Sequence, residues 1–142
     1  VEVDIETGKV KVLKMVSVFD AGKVINPAMY EGQAEGAMVQ AMGTALYEEL
    51  KLKDGRVMNP SFVDYKIPAF EDMPEMIVEA IEKPEPTGPY GARGIGEITM
   101  VPGAPAIANA VANAIGVRFL RMPLTPDVVL AALREKKAAE AK

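Results

Sequence analysis

The chain has 142 residues, of which 49% are apolar and 25% charged, an ordinary globular composition with material for one buried core. Sixteen Lys+Arg against 20 Asp+Glu leave a net charge of −4, which argues against nucleic acid as a partner. Neither Cys nor His occurs, excluding disulfides, thiolate or imidazole metal sites, a cysteine nucleophile and a Ser-His-Asp triad.

Acid–base chemistry near neutral pH therefore falls to a carboxylate, a lysine or a tyrosine. No apolar run reaches the roughly 18 to 20 residues of a membrane span, and the opening Val-Glu-Val-Asp is no signal peptide, so a cytoplasmic chain is expected. It opens on Val1 rather than Met, as a processed chain or a fragment of a longer polypeptide does.

Val1 to Glu6 alternates apolar and acidic, the period of a half-buried strand. Thr7-Gly8 turns it, and Lys9 to Asp20 predicts a long second strand of the same β-hairpin. Asn26-Pro27 then starts a helix expected over about 27–48, with Asn as cap and Pro in the first position. Asp54-Gly55 marks a hairpin between Leu50 and Met58. Met76 to Ile81, bracketed by Pro74 and Pro84, predicts a strand.

Between Lys83 and Pro105 lie five Gly and five Pro, which forbids regular structure. A second helix is expected over about 104–115, stopped by Gly116, followed by a short extended piece at 117–120. Thr125-Pro126-Asp127 opens a third helix, about 125–138, with an acid in the first turn and a polar tail expected to fray. Residues 1–142 thus read as a single α+β module: hairpins and short strands packed with three helices.

Two constellations could carry chemistry. On the first helix Gln33, Gln40 and Thr44 share one face, opposite Glu31 and Glu35, while Met38, Val39 and Met42 predict a helix buried on most sides, its amides included. The two amides either bond to nearby backbone or face a polar ligand. Gly32 and Gly36 each cost about 1 kcal/mol of helix propensity, offset by close packing or by room for a ligand.

The second constellation is Gly91-Ala-Arg-Gly-Ile-Gly-Glu97, which fits neither a dinucleotide fingerprint nor a Walker loop. Glu97 is the only carboxylate from Gly88 to Gly103 and precedes an apolar run. A carboxylate in apolar surroundings gains proton affinity and suits a base. The competing readings are a cap of the following turn or a pair with Arg93.

Five segments, in order, resemble the molybdenum hydroxylases of the xanthine dehydrogenase/aldehyde oxidase group. Gly32-Gln-Ala-Glu-Gly-Ala-Met-Val-Gln-Ala-Met-Gly43 is similar to their G-Q-x-E-G-A-x-x-Q-G-x-G helix, and Tyr65-Lys-Ile-Pro68 to their Y-K-I/M-P step. Gly94-Ile-Gly-Glu97 resembles their G-x-G-E loop, Pro105 to Ala110 the helix after it, and Arg121 to Pro126 their terminal R-x-P-x-T-P. The match is to the C-terminal part of the molybdenum-binding subunit.

The resemblance implies that Glu97 is the active-site base beside the molybdenum, that Gln33 contacts the molybdopterin cofactor and that Gly96 borders the metal. The pterin's dithiolene holds the metal, so the chain itself need supply no ligand. The implied activity is hydroxylation of a small-molecule carbon centre with water-derived oxygen. The implied partners are the remainder of the subunit and domains or subunits carrying [2Fe-2S] and FAD; the isolated chain is expected to be inactive. Ala41 in place of Gly, and Ile98-Thr99-Met100 after the glutamate, leave the branch open among purine, aldehyde, N-heterocycle, aromatic acyl-CoA and carbon monoxide. A non-catalytic binding or assembly module on the same scaffold is the alternative.

Overall fold

Strand formation at the N-terminus is cut short by a side chain. Asp4 Oδ1 accepts the backbone N–H groups of Glu6 and Thr7 at 2.8 and 3.2 Å, an Asx turn that competes with the sheet. In the computed structural model, which describes residues 1–141, the first hairpin therefore contains only β1 (Glu2–Val3) and β2 (Val10–Lys11). The single long second strand expected over Lys9 to Asp20 does not form. The ladder lapses after Lys11, where Val12 turns into the core, and the remainder is a separate strand, β3 (Lys14–Asp20).

Helix α1 (Pro27–Leu46) begins where expected: Asn26 Oδ1 accepts the Met29 N–H at 3.1 Å, and Pro27 occupies the first turn. It stops at Leu46, short of Glu48, with Tyr47 as the C-cap. Ala34, Ala37, Met38, Ala41, Met42 and Ala45 make the buried stripe, spaced three and four apart. β4 (Leu52–Lys53) and β5 (Arg56–Val57) form the expected hairpin, whose turn residues Asp54 (φ 50°) and Gly55 (φ 75°) are both left-handed.

After a 3-10 turn at Phe70–Asp72, β6 (Glu75–Ile81) runs parallel to β3, in register from Lys14 opposite Glu75 to Asp20 opposite Ile81. The Gly/Pro-rich stretch is irregular apart from a 3-10 turn at Pro89–Gly91. α2 (Gly103–Ile115) ends on Gly116, left-handed at φ 69°. No strand forms at 117–120. α3 (Pro126–Glu140) keeps its polar tail helical, because Lys136 Nζ donates to the Ile115 carbonyl at 2.9 Å and ties it to the end of α2. Among the described residues no helix is long and apolar enough to cross a membrane.

The core joins Met42 and Leu46 of α1 to Ile107 and Val111 of α2, with Leu124 and Val129 closing one side. Tyr30, buried on α1, places its hydroxyl 3.2 Å from Phe19 O and 3.4 Å from Glu79 O, so the helix is tied to both parallel strands. α2 starts against α1 with no clearance: a Cβ added at Gly103 would lie 2.4 Å from the Ala41 Cβ. Gly103→Ala is therefore expected to destabilise by about 1–3 kcal/mol, as overpacking does. Ala41→Gly in the same chain should recover part of that loss, net of its own helix cost. Denaturant unfolding of the single and double variants measures both, and a neutral Gly103→Ala refutes the contact.

Candidate functional site

Parallel pairing sets the carboxyl ends of β3 and β6 side by side, so two loops leave the sheet together. One, residues 21–26, leads into α1; the other, residues 82–102, carries the glycine-rich motif. Asp20 stands at the junction. Its Oδ1 accepts the Gly22 N–H at 2.9 Å and the Lys83 N–H at 3.3 Å, and its Oδ2 takes Arg93 Nη1 at 3.3 Å. Arg93 also forks onto Glu85 Oε2, with Nε at 3.2 Å and Nη2 at 3.1 Å. Glu85 accepts the Thr87 hydroxyl at 3.0 Å on its other oxygen.

Backbone bonds seal the same contact. The Arg93 N–H donates to Ala21 O at 2.9 Å and the Lys23 N–H to Gly91 O at 2.7 Å. A Cβ at Gly22 would lie 2.4 Å from Gly91 O, so only glycine lets the two loops approach. The Gly22 N–H, helped by the Lys83 N–H and the Arg93 charge, holds the Asp20 carboxyl below its usual range. The Thr87 hydroxyl does most to hold Glu85 low, with Arg93 adding to it.

From this anchored segment, Gly94 to Glu97 crosses to the N-terminal half of α1. Gln33 Nε2 donates to the Gly96 carbonyl at 2.5 Å. Buried Thr99 follows, its hydroxyl donating to Ala34 O at 3.5 Å. The structure thus brings Gln33, Gly96 and Glu97 together. Gln33, Ile95 and Gly96, with Ile25, Met29 and Tyr30, line an open cleft of about 330 Å³.

Two sequence expectations need correction. The Gln33/Gln40 face of α1 is exposed rather than buried, and Thr44 bonds within its own helix to Gln40 O at 3.1 Å. No close packing offsets Gly32 and Gly36. A Cβ at either, or at Gly94 or Gly96, meets nothing within 4 Å. Glu97 is likewise exposed, not held in apolar surroundings; Ile98 and Met100 beside it are half-buried. Nor does it pair with Arg93, whose guanidinium is taken by Asp20 and Glu85. Only its backbone carbonyl supports the next turn, accepting the Met100 N–H at 3.1 Å.

The Asp20–Arg93–Glu85 cluster escaped the sequence reading, although two local signals were available: Asp20 lies two residues before Gly22, and Glu85 two before Thr87. Both spacings suit side-chain-to-backbone turns, and both are used here.

A family model described as "Molybdopterin cofactor-binding domain" matches residues 1–74. The xanthine dehydrogenase molybdenum-binding subunit of Escherichia coli O157:H7 is 41% identical over 126 residues, covering 87% of this chain and 17% of that protein. Subunit gamma of the 6-hydroxypseudooxynicotine dehydrogenase complex of Paenarthrobacter nicotinovorans is 39% identical over 144 residues, covering 99% and 18%. Among solved structures, quinoline 2-oxidoreductase from Pseudomonas putida 86 superposes with a TM-score of 0.85 at 32% identity, covering 94% of this chain and 17% of the other. The chain therefore spans less than a fifth of the length of the relatives it matches.

The Asp20 junction gives a pH expectation. A carboxyl whose folded pKa lies below its usual 3.8 contributes stability that is present above that value and lost as pH falls through the folded one. Unfolding midpoints followed downward from about pH 6 should thus fall less steeply at the acid end in Asp20→Asn than in wild type. Parallel curves for the two proteins count against the junction.

Proposed function

The chain belongs to the molybdopterin cofactor-binding domain family, and from that premise we propose that it is the C-terminal part of a molybdenum hydroxylase's metal-binding subunit, with Glu97 as general base. The observation that carries the reading is the Gln33–Gly96 hydrogen bond. It brings the two motifs that resemble the cofactor helix and the base loop into one bare surface.

The residues present suit a pterin. Its alternating donors and acceptors match side-chain amides, and Gln33 keeps its carbonyl oxygen while its N–H serves Gly96. The open space at Gly32, Gly36, Gly94 and Gly96 lets a planar ring system approach the backbone. When bound, the molybdenum cofactor supplies the redox centre of the reaction. Gln33 would orient it and Gly96 would leave room beside it, while Glu97 would take the proton from the oxygen nucleophile as a new C–O bond replaces a substrate C–H bond, whose hydrogen and bonding pair the redox centre would accept. The carboxylate is free for this task, since no side chain among the described residues binds it.

The rest of the subunit, which forms most of the relatives' length, supplies the remaining walls and the pocket for a small substrate. The iron–sulfur and flavin groups sit on partner domains or subunits, and the assembly is cytoplasmic. A purine, an aldehyde and an N-heterocycle each offer the electrophilic carbon this chemistry needs.

In the assembled enzyme Glu97→Gln should lower kcat by about 10²- to 10⁴-fold while molybdenum content and Tm stay near wild type. Retention of kcat with full metal would leave the chain a scaffold without chemistry. Gln33→Ala should lower cofactor occupancy, because a polar partner is left unpaired at a cost of about 1–3 kcal/mol. Molybdenum and pterin assay of the purified variant decides that point, and normal content returns Gln33 to a loop contact alone.

A further inference from the structure

We propose that Arg93 is a positioning residue: it fixes the loop carrying Glu97 and so sets where that carboxylate stands. The inference rests on the reading of Glu97 as base and extends it to a residue whose guanidinium is held by Asp20 and Glu85.

The loop needs such a device. Gly94 and Gly96 flank Ile95 immediately before the base, and neither meets any neighbour at its Cβ position. Glycines in open space leave the backbone free in φ and ψ, so Gly94 and Gly96 do not by themselves define the course of the loop. Its position is set from the two ends. Downstream, Gln33 holds the Gly96 carbonyl. Upstream, the last residue with a side-chain anchor is Arg93, held by Asp20 of β3 and Glu85 of its own loop.

The chemistry favours a guanidinium here. One planar group reaches Asp20 through Nη1 while Nε and Nη2 converge on a single oxygen of Glu85. An ammonium is a point charge that cannot reproduce that fork. Asp20 is itself fixed by the Gly22 and Lys83 N–H groups, so the anchor is tied to the sheet and not to another mobile side chain. The Arg93, Asp20 and Glu85 side chains are 44%, 26% and 30% exposed, and ion pairs so exposed add little to global stability. The backbone bond from Arg93 N to Ala21 O is available to Ala or Lys at this position as well. Loss of the guanidinium should therefore loosen the loop and leave the fold standing.

The test compares Arg93→Ala, Arg93→Lys, Asp20→Asn and the Arg93→Ala/Asp20→Asn double variant in the assembled, metal-loaded enzyme. Steady-state kinetics is paired with amide hydrogen exchange of the segment 94–100. Arg93→Ala should lower kcat by about 10- to 100-fold, the scale of a base misplaced by about 1 Å. KM should stay within about threefold, with molybdenum content, Tm and the shape of the pH profile unchanged. Exchange in 94–100 should rise severalfold, Arg93→Lys should recover only part of both effects, and the double variant should be no worse than Arg93→Ala.

Unchanged exchange in Arg93→Ala overturns the proposal. So does a KM effect with constant kcat, a fall in kcat that tracks lost metal, or full recovery by Lys. Glu97→Gln in parallel separates the two readings. If it keeps its kcat, the base assignment fails, while exchange in 94–100 still decides whether Arg93 holds the loop.

Discussion

Everything at the site depends on the parallel pairing of Lys14–Asp20 with Glu75–Ile81. A parallel pair cannot be closed by a tight turn, so the chain between the strands must travel. Here it travels through α1, the small hairpin and the irregular segment before β6. The return places both carboxyl ends at one edge, the edge at which open α/β sheets bind their ligands. α1 leaves from one strand and the glycine-rich loop from the other, and their meeting at Gln33 and Gly96 follows from that starting geometry.

Asp20 converts this proximity into a fixed relation. It is the last residue of β3, and its two oxygens serve donors from three places: the turn it precedes, the first residues beyond β6, and Arg93. Tyr30 does the same on the helix side, with its hydroxyl against carbonyls of both strands. One polar side chain from each element spans the sheet edge, so α1 and the loop share a reference frame. Small residues supply the rest of the fit. Gly22 lets the loops touch, and Gly103 lets α2 start against Ala41.

What was legible in the sequence is what has a local cause. Asn26-Pro27, Asp54-Gly55, Gly116 and Thr125-Pro126 each fix a dihedral or satisfy a terminal amide within a few residues, and each element appears where its signal stands. The resemblance of their motifs singles out Gln33, Gly96 and Glu97 as candidates, and the structure adds that Gln33 reaches Gly96 directly. The partner of β3 was not legible. Alternation of Met15, Ser17 and Phe19 against Val16 and Val18 specifies a strand but not which strand completes it, and a hairpin partner lay closer in sequence. The Asx turn at Asp4 that ended β1 early was readable; the lapse after Lys11 depends on Val12 joining a core built from α1 and α2. The alternative of an Arg93–Glu97 pair fails for a similar reason. Glu97 is near in sequence, whereas Asp20 comes close only through the parallel pair.

The exposure of the site defines what this chain contributes to the proposed chemistry. A general base needs a place and a proton affinity, and these have separate physical origins. Place comes from the skeleton that carries the side chain, and the Arg93 and Gln33 anchors belong to this chain. Proton affinity suited to a base near neutral pH comes from exclusion of water and from the charges around the carboxyl. Glu97 is exposed on a bare glycine face, and none of the residues described here covers it. Under the proposed function, the covering wall belongs to the rest of the subunit. The glycines that leave the face open are then the counterpart of that wall: a side chain at Gly32, Gly36, Gly94 or Gly96 costs this chain no internal contact and instead enters the space that the cofactor and the covering wall occupy.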